Sequence, residues 1–297
     1  MLYILPLTAA LITSAYWIRK LTRIRGMSAV SKLADLDGGP IEYTLTGQTG
    51  PVVLYLHGSP GGHDRASFTH PEFRTLAVSR PGYLRTPIDV GHTPTEQANA
   101  IARLLDALDI DHVIVMAASG GGPTALELAT SSPERVTQMI LIEPVSRALE
   151  LPALPAWMQW DLGVSIFSAL ARPPLLARIL IVREENRARV LESPALRAKL
   201  TALVGSSWPI SRRLQGWRND AKQFATYTTP TRITQPCLVV HGTEDRNVPY
   251  ADSLALMKHL EQGTLHTVDG GDHFMPVTHE GELRDVVLGF LLEARRS

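Results

Sequence analysis

Seven short segments of this chain read as β-strands, and most of the stretches between them carry helical spacing. Residues 51–56 (PVVLYL), 113–118 (VIVMAA), 136–142 (VTQMILI) and 237–240 (CLVV) are uncharged and mostly apolar. A strand with one wet face alternates apolar and polar residues, whereas a strand covered on both faces needs no alternation. Residues 75–79 and 264–268 add two more short strands. Residues 38–47 (GGPIEYTLTG) alternate and end in glycine, as an early antiparallel arm does. Few architectures accommodate buried strands that alternate with helices. The expected fold class is α/β, with a mainly parallel sheet and helices on both faces.

The helices have readable limits. Thr93 is placed as N-cap, Pro94 as first helical residue and Glu96 as third, the pattern of a capping box. Ile101, Leu104, Leu105 and Leu108 follow along one helical face. Residues 120–130 and 280–294 read as further helices. From about residue 145 to 231 the strand rhythm stops. That stretch looks helical, is punctuated by seven prolines and holds Trp157, Trp160, Trp208 and Trp217, four of the five tryptophans. The expected organisation is core from 27 to 144, an inserted helical cap from 145 to 231, and core again from 232 to 297. The cap tryptophans fit either a roof over an apolar pocket or the packing core of the cap.

Residues 1–26 differ in kind. The run 2–18 (LYILPLTAALITSAYWI) has no charged side chain, and Arg19, Lys20, Arg23 and Arg25 follow it. A spanning helix needs roughly 17–25 apolar residues, so the run sits at the short end of that range. Tyr16 and Trp17 lie where interfacial aromatics gather. An N-terminal membrane anchor in residues 1–26 is the first expectation. Basic residues after the span would leave the catalytic domain on the cytoplasmic side, and without an anchor the protein is expected in the cytoplasm. A cleaved signal peptide, a docked lead-in helix and a start at Met27 remain open.

Composition narrows the function classes. Lys plus Arg and Asp plus Glu number 29 each, so the summed charge offers no footprint for nucleic acid. Cys237 is the only cysteine, which rules out an intrachain disulfide; its apolar surroundings suit a buried packing residue. A small-molecule substrate is the expected partner. No zinc-ligand cluster is apparent, and neither a metal nor an organic cofactor is expected.

Four glycine-rich motifs carry the chemistry, each directly after a strand. Ala117-Ala118-Ser119-Gly120-Gly121 joins the strand VIVMAA to a helix in the pattern small-x-Ser-x-small. A nucleophilic serine on so sharp a turn is strained and exposed, and bulky residues two positions away would collide across it. A phosphate loop would need a lysine that is missing here. His57-Gly58-Ser59-Pro60-Gly61-Gly62 is the natural source of a second oxyanion donor. The amides of Ser59 and Gly120 are the expected pair. His241-Gly242-Thr243-Glu244-Asp245 supplies the acid, Asp245, at a strand's C-terminal end. Glu143, which ends the strand after the elbow, competes for that role. Gly270-Gly271-Asp272-His273-Phe274 supplies the base, His273, in the chain order Ser, Asp, His. His57 and His241 read as structural, and His63, His70, His92, His259 and His279 as surface or loop residues.

Taken together, HGSPGG, SRPGY, AASGG, HGTEDRNVP and GGDHF resemble the α/β-hydrolase superfamily from about residue 38 to the C-terminus. The resemblance implies an eight-stranded, mostly parallel sheet with a helical cap over its C-terminal edge. It extends to esterases and proline iminopeptidase-like enzymes, and the elbow lacks the nucleophilic aspartate of epoxide hydrolases and haloalkane dehalogenases. The expected activity is cleavage of a carboxylic ester through an acyl-enzyme, with Ser119, Asp245 and His273 catalytic. Three alternatives stand beside it: a prolyl aminopeptidase using Glu184 or Glu185 to hold the substrate amine, a carbon–carbon bond hydrolase, and a non-catalytic ligand-binding protein.

Overall fold

In the computed structural model, the chain is described for residues 4–66 and 70–293, with side chains from residue 13 onward. Met1–Tyr3, the start of the expected anchor, therefore lie outside the described residues. Eight strands form one sheet in the order β1-β2-β4-β3-β5-β6-β7-β8. The strands are β1 (Lys32–Leu36), β2 (Gly39–Thr46), β3 (Val52–Leu56), β4 (Arg74–Val78), β5 (Val113–Ala118), β6 (Val136–Ile142), β7 (Cys237–Gly242) and β8 (Gly263–Val268). β2 runs antiparallel to both β1 and β4, and every later pairing is parallel. The sequence pattern identifies seven of these strands. It misses β1, whose five residues KLADL form a largely exposed edge with no buried run to mark it.

Alternate residues of each central strand enter different cores. Leu54 and Leu56 pack with α2 (Pro94–Ala107) and α3 (Gly122–Ser131), while Val53 and Tyr55 pack on the opposite face with α10 (Met275–Thr278) and α11 (Glu280–Glu293). Burial on both faces is why these strands read as continuous apolar runs. α2 starts at the expected capping box, with Thr93 Oγ1 accepting from the Glu96 amide and the Glu96 carboxylate accepting from the Thr93 amide. Ile101, Leu104 and Leu105 are its buried face. α9 (Tyr250–Leu256) follows β7. Cys237 is fully buried in β7, and burial pushes its thiol far above the usual range, so it is packing material.

Five helices separate β6 from β7: α4 (Asp161–Leu170), α5 (Pro173–Leu180), α6 (Glu184–Glu192), α7 (Pro194–Gly205) and α8 (Leu214–Phe224). They fall within residues 145–231, the stretch expected to form the cap. Leu176, Ile181, Val190 and Leu200 make a small core of their own, closed by Val277 and Phe274 from the segment that follows β8. The cap and the His273 segment therefore share one apolar contact.

α1 (Ile4–Val30) precedes the sheet and leans on the cap. Lys20 pairs with Asp161 at 2.7 Å, Arg19 lies 5.1 Å above the Trp208 ring, and Tyr16 packs beside Trp208. Among the described residues no single helix is long and apolar enough to cross a membrane; α4 and α5 pass such a test only as a pair bent by 111°.

Candidate active site

β5 delivers Ser119 to the C-terminal edge of the sheet, and the chain turns there with the Ser119 φ at 48°. That left-handed conformation is uncommon for a side chain larger than glycine and stores on the order of 1–3 kcal/mol of strain. The turn is tolerated because its neighbours are small. A Cβ at Gly121 would overlap the carbonyl oxygen of Leu56 in β3, and a Cβ at Gly58 would come within 2.9 Å of the Ser119 Cβ. The two glycine-rich loops after β3 and β5 are thus pressed together with Ser119 between them.

Ser119, His273 and Asp245, drawn from three separate loops, form one line. His273 Nε2 is 3.1 Å from Ser119 Oγ, and His273 Nδ1 is 2.7 Å from Asp245 Oδ2. The other carboxylate oxygen of Asp245 accepts from the amides of Asn247 and Val248 at 2.8 and 3.0 Å. Burial raises the Asp245 pKa, but bonds from His241 and His273, the imidazole charge and the Val248 amide outweigh it and hold the carboxyl well below its usual range. It is an anion that accepts from Nδ1–H and leaves Nε2 free to take a proton.

Glu143 also reaches this point. It follows β6 in a left-handed conformation, with φ 48°, is buried, and lies 3.7 Å from His273 Nδ1. One of its oxygens has no hydrogen-bond partner. Burial, with Asp245 and Asp272 nearby, pushes its pKa well up against the pull of His273. Burial thus disfavours the charged form of Glu143, and Asp245 makes the short bond. Burial lowers the His273 pKa, while Glu143, Asp245 and Asp272 raise it, to a net of about 9. Ligand atoms of Glu143, Asp245 and His273 lie within 4.8 Å of one another, close enough for a metal. The bond between His273 Nδ1 and Asp245 Oδ2 already uses two of those atoms, and that fits proton transfer better than metal coordination.

Ser59 lies against Gly120, since a Cβ there would overlap the Ser59 hydroxyl. The two expected oxyanion residues are therefore neighbours. What holds Ser59 there has no sequence signal. Its hydroxyl donates to the carboxylate of Asp220 on α8, and Arg80 Nη2 reaches that hydroxyl at 3.2 Å. Arg80 grips Asp220 through two nitrogens at 3.0 and 2.6 Å, and Tyr83 donates to it at 2.5 Å. Arg80, Tyr83 and Asp220 are all buried. The motif SRPGY after β4 contains Arg80 and Tyr83 but does not mark what they hold. Asp220, 140 residues away, could be placed only by the fold.

The remaining histidines sort by their partners. His57 Nδ1–H donates to the Gly58 carbonyl and Nε2 accepts from the Arg80 amide, so the ring is neutral, and burial with Arg80 nearby lowers its pKa well below normal. His241 bonds Ser253 and the Val248 carbonyl. Both are structural. His63, expected at the surface, is buried 3.6 Å from Glu42, and its neighbour Asp64 is held by Arg23 of α1 and Arg213. Glu185 is exposed and pairs with Arg183 at 3.3 Å. Of the cap tryptophans only Trp208 is core; Trp157 and Trp160 stand in solvent.

Comparison with known proteins agrees with this geometry. A family model described as alpha/beta hydrolase fold matches residues 51–280. A 2-hydroxy-6-oxononadienedioate/2-hydroxy-6-oxononatrienedioate hydrolase of Cupriavidus pinatubonensis is 26% identical over 282 residues, 89% of this chain and 96% of the relative. An alpha/beta hydrolase fold protein from Nakamurella multipartita superposes with a TM-score of 0.80 at 30% identity, covering 88% of this chain and 98% of that one. A structure titled as a bacterial membrane phospholipase A has a TM-score of 0.67 at 19% identity and covers 99% of this chain and 98% of that one. At that identity the likeness is one of fold.

Proposed function

We propose, from the premise that the chain belongs to the α/β-hydrolase family, that it is a serine hydrolase with Ser119 as nucleophile, His273 as base and Asp245 as acid. The observation that carries this is the continuous relay of 3.1 and 2.7 Å from Ser119 through His273 to Asp245. His273 Nε2 takes the hydroxyl proton as Ser119 attacks a carbonyl carbon, and Asp245 stabilises the imidazolium. The amides of Ser59 and Gly120 receive the oxyanion; one such donor is typically worth on the order of 3 kcal/mol. His273 then protonates the leaving group and activates the water that frees the acyl-enzyme. Ser119→Ala should lower turnover by on the order of 10⁴-fold or more and abolish labelling by a fluorophosphonate. A Ser119→Ala protein that kept its rate would sink the proposal.

For the bond cleaved, the relatives favour one reading and the local charges a second. The substrate named for the Cupriavidus relative has a ketone and carboxylates but no ester or amide, so its hydrolysis breaks a carbon–carbon bond. That supports C–C bond hydrolysis beside a ketone, with His273 delivering the proton to the carbon leaving group. A dicarboxylate substrate also needs cations, and two arginines near the site loops already have carboxylate partners: Arg80 holds Asp220, and Arg183 holds Glu244. That supports the second reading, ester hydrolysis of an uncharged substrate. Assaying a 2-hydroxy-6-oxo-dienoate beside a short p-nitrophenyl ester separates the two, with Ser119→Ala as the blank for both.

Residues 2–18 support attachment to a membrane surface. They are uncharged and precede four basic residues. The expected result is that the full chain fractionates with membranes and a version starting at Met27 does not. Equal solubility of the two would end this reading.

A further inference from the structure

Apolar side chains on the cap face outward rather than into its core. Along α4, Leu162, Ile166 and Leu170 recur every four residues and are 54, 51 and 71% exposed. That spacing puts them on one stripe of the helix. A stripe of large apolar residues in water is unfavourable, and contiguous apolar patches on soluble proteins mark interaction surfaces. Trp160, 71% exposed, stands just before the stripe begins. After the bend, Leu175 and Ile179 repeat the pattern on α5.

Position and charge say what such a stripe meets. Trp160 and Leu162 line one groove with Thr13, Tyr16, Trp17 and Lys20 of α1, so the stripe is continuous with the helix that carries the uncharged N-terminal run. Between residues 151 and 180 the only acidic residue is Asp161, which is buried and paired with Lys20. Arg172 and Arg178 on the cap and Arg19 and Arg25 on α1 are exposed. An apolar stripe whose own segment carries exposed cations and no exposed acid suits a surface with an anionic outer layer and an apolar interior. It does not suit a second copy of itself, which would set like charges against one another.

We propose that the outer face of α4, together with Trp160 and the adjoining face of α1, docks on an anionic phospholipid surface. Leu162, Ile166 and Leu170 enter the headgroup–acyl boundary, and the arginines lie among the phosphates. The cap thus rests on the lipid, and the hydrolase site beneath the cap is held next to it. The inference rests on the attachment of residues 2–18 and not on which bond is cleaved.

The buried Cys237 leaves an introduced cysteine as the one reactive thiol, so full-length Ile166→Cys, Ser14→Cys and Asp111→Cys chains can each carry a single nitrobenzoxadiazole label. Asp111 lies at the opposite, N-terminal edge of the sheet. Mixed with vesicles of equimolar phosphatidylcholine and phosphatidylglycerol, the labels at 166 and 14 should shift to the blue and be quenched by spin-labelled lipid. The label at 111 should do neither. Arg172→Glu and Arg178→Glu should each weaken vesicle binding by about fivefold or more, less at high salt. A response at 14 without one at 166 overturns cap docking and leaves the attachment standing; no response at either overturns both. A blue shift at 166 that needs no vesicles and grows with protein concentration makes the occupant a second copy, and overturns the proposal as well. Hydrolysis of a soluble ester by the same labelled chains reports on the serine site separately.

Discussion

Replacing Asp220 by asparagine should damage the protein in two measurable ways. The carboxylate is 2% exposed and is the shared acceptor for Arg80, Tyr83 and Ser59. Asparagine keeps the shape but removes the charge, leaving the Arg80 guanidinium, itself 1% exposed, without its counter-ion. Removing one partner of a buried ion pair typically costs about 3–5 kcal/mol. At about 2–4 °C per kcal/mol in a domain of this size, the melting temperature falls by roughly 10 °C. The second effect is kinetic. One carboxylate oxygen becomes an NH2 donor, so Ser59, Tyr83 and Arg80 compete for the single acceptor left, and the Ser59 amide drifts from the position proposed for the oxyanion donor. Misplacement of that order lowers kcat by about tenfold to a hundredfold with little change in KM. Thermal unfolding and steady-state hydrolysis of an activated ester measure the two effects on one preparation. A doubly apolar variant, Arg80→Met with Asp220→Leu, should recover much of the stability but not the rate, since the charge problem disappears and the Ser59 anchor does not return. An Asp220→Asn protein that melts and turns over like the wild type refutes the reasoning. So does a double variant that regains the full rate.

Four further outcomes follow from the same geometry. Activity should rise with pH through the His273 pKa, because only the neutral imidazole accepts the serine proton; the flanking carboxylates raise that pKa, to about 9, so the acid limb of kcat/KM should lie above 6.5. Asp245→Asn should lower kcat by on the order of 10⁴-fold, whereas Glu143→Gln should stay within about tenfold; the reverse order in a pH–rate study would exchange the two acids. Gly121→Ala should sharply reduce both folded yield and activity, since its methyl must displace the Leu56 carbonyl at the elbow; normal circular dichroism with normal turnover would contradict that close approach. Asp161→Asn should loosen α1 from the cap by about 1–3 kcal/mol, because the carboxylate serves Lys20 and both the amide and hydroxyl of Ser211; faster proteolysis near Lys20 is the expected readout, and an unchanged cleavage rate would argue against it.

Strand identity and loop chemistry were legible in the chain because both are local. A strand buried on both faces must be apolar throughout, so β3, β5, β6 and β7 announced themselves, while the exposed edge β1 had no such constraint and went unread. The elbow, too, was local: a serine at φ 48° needs small neighbours within two residues, and Ala117 and Gly121 provide them. Chain order then made Asp245 and His273 the expected partners of Ser119, and the fold brings the three side chains together. The fold decided what depends on distant pieces of chain meeting. Glu143 proved to be close to His273, but burial disfavours its charge, while Asp245 makes the shorter bond and is held by the Asn247 and Val248 amides. Asp220 reached Ser59 across 161 residues, and no spacing rule spans a helical insertion. The tryptophans of the cap divided between core and solvent, because periodicity within a helix fixes which residues share a face but not which way that face points. Direction is set by what the helix packs against, and only the tertiary structure supplies that.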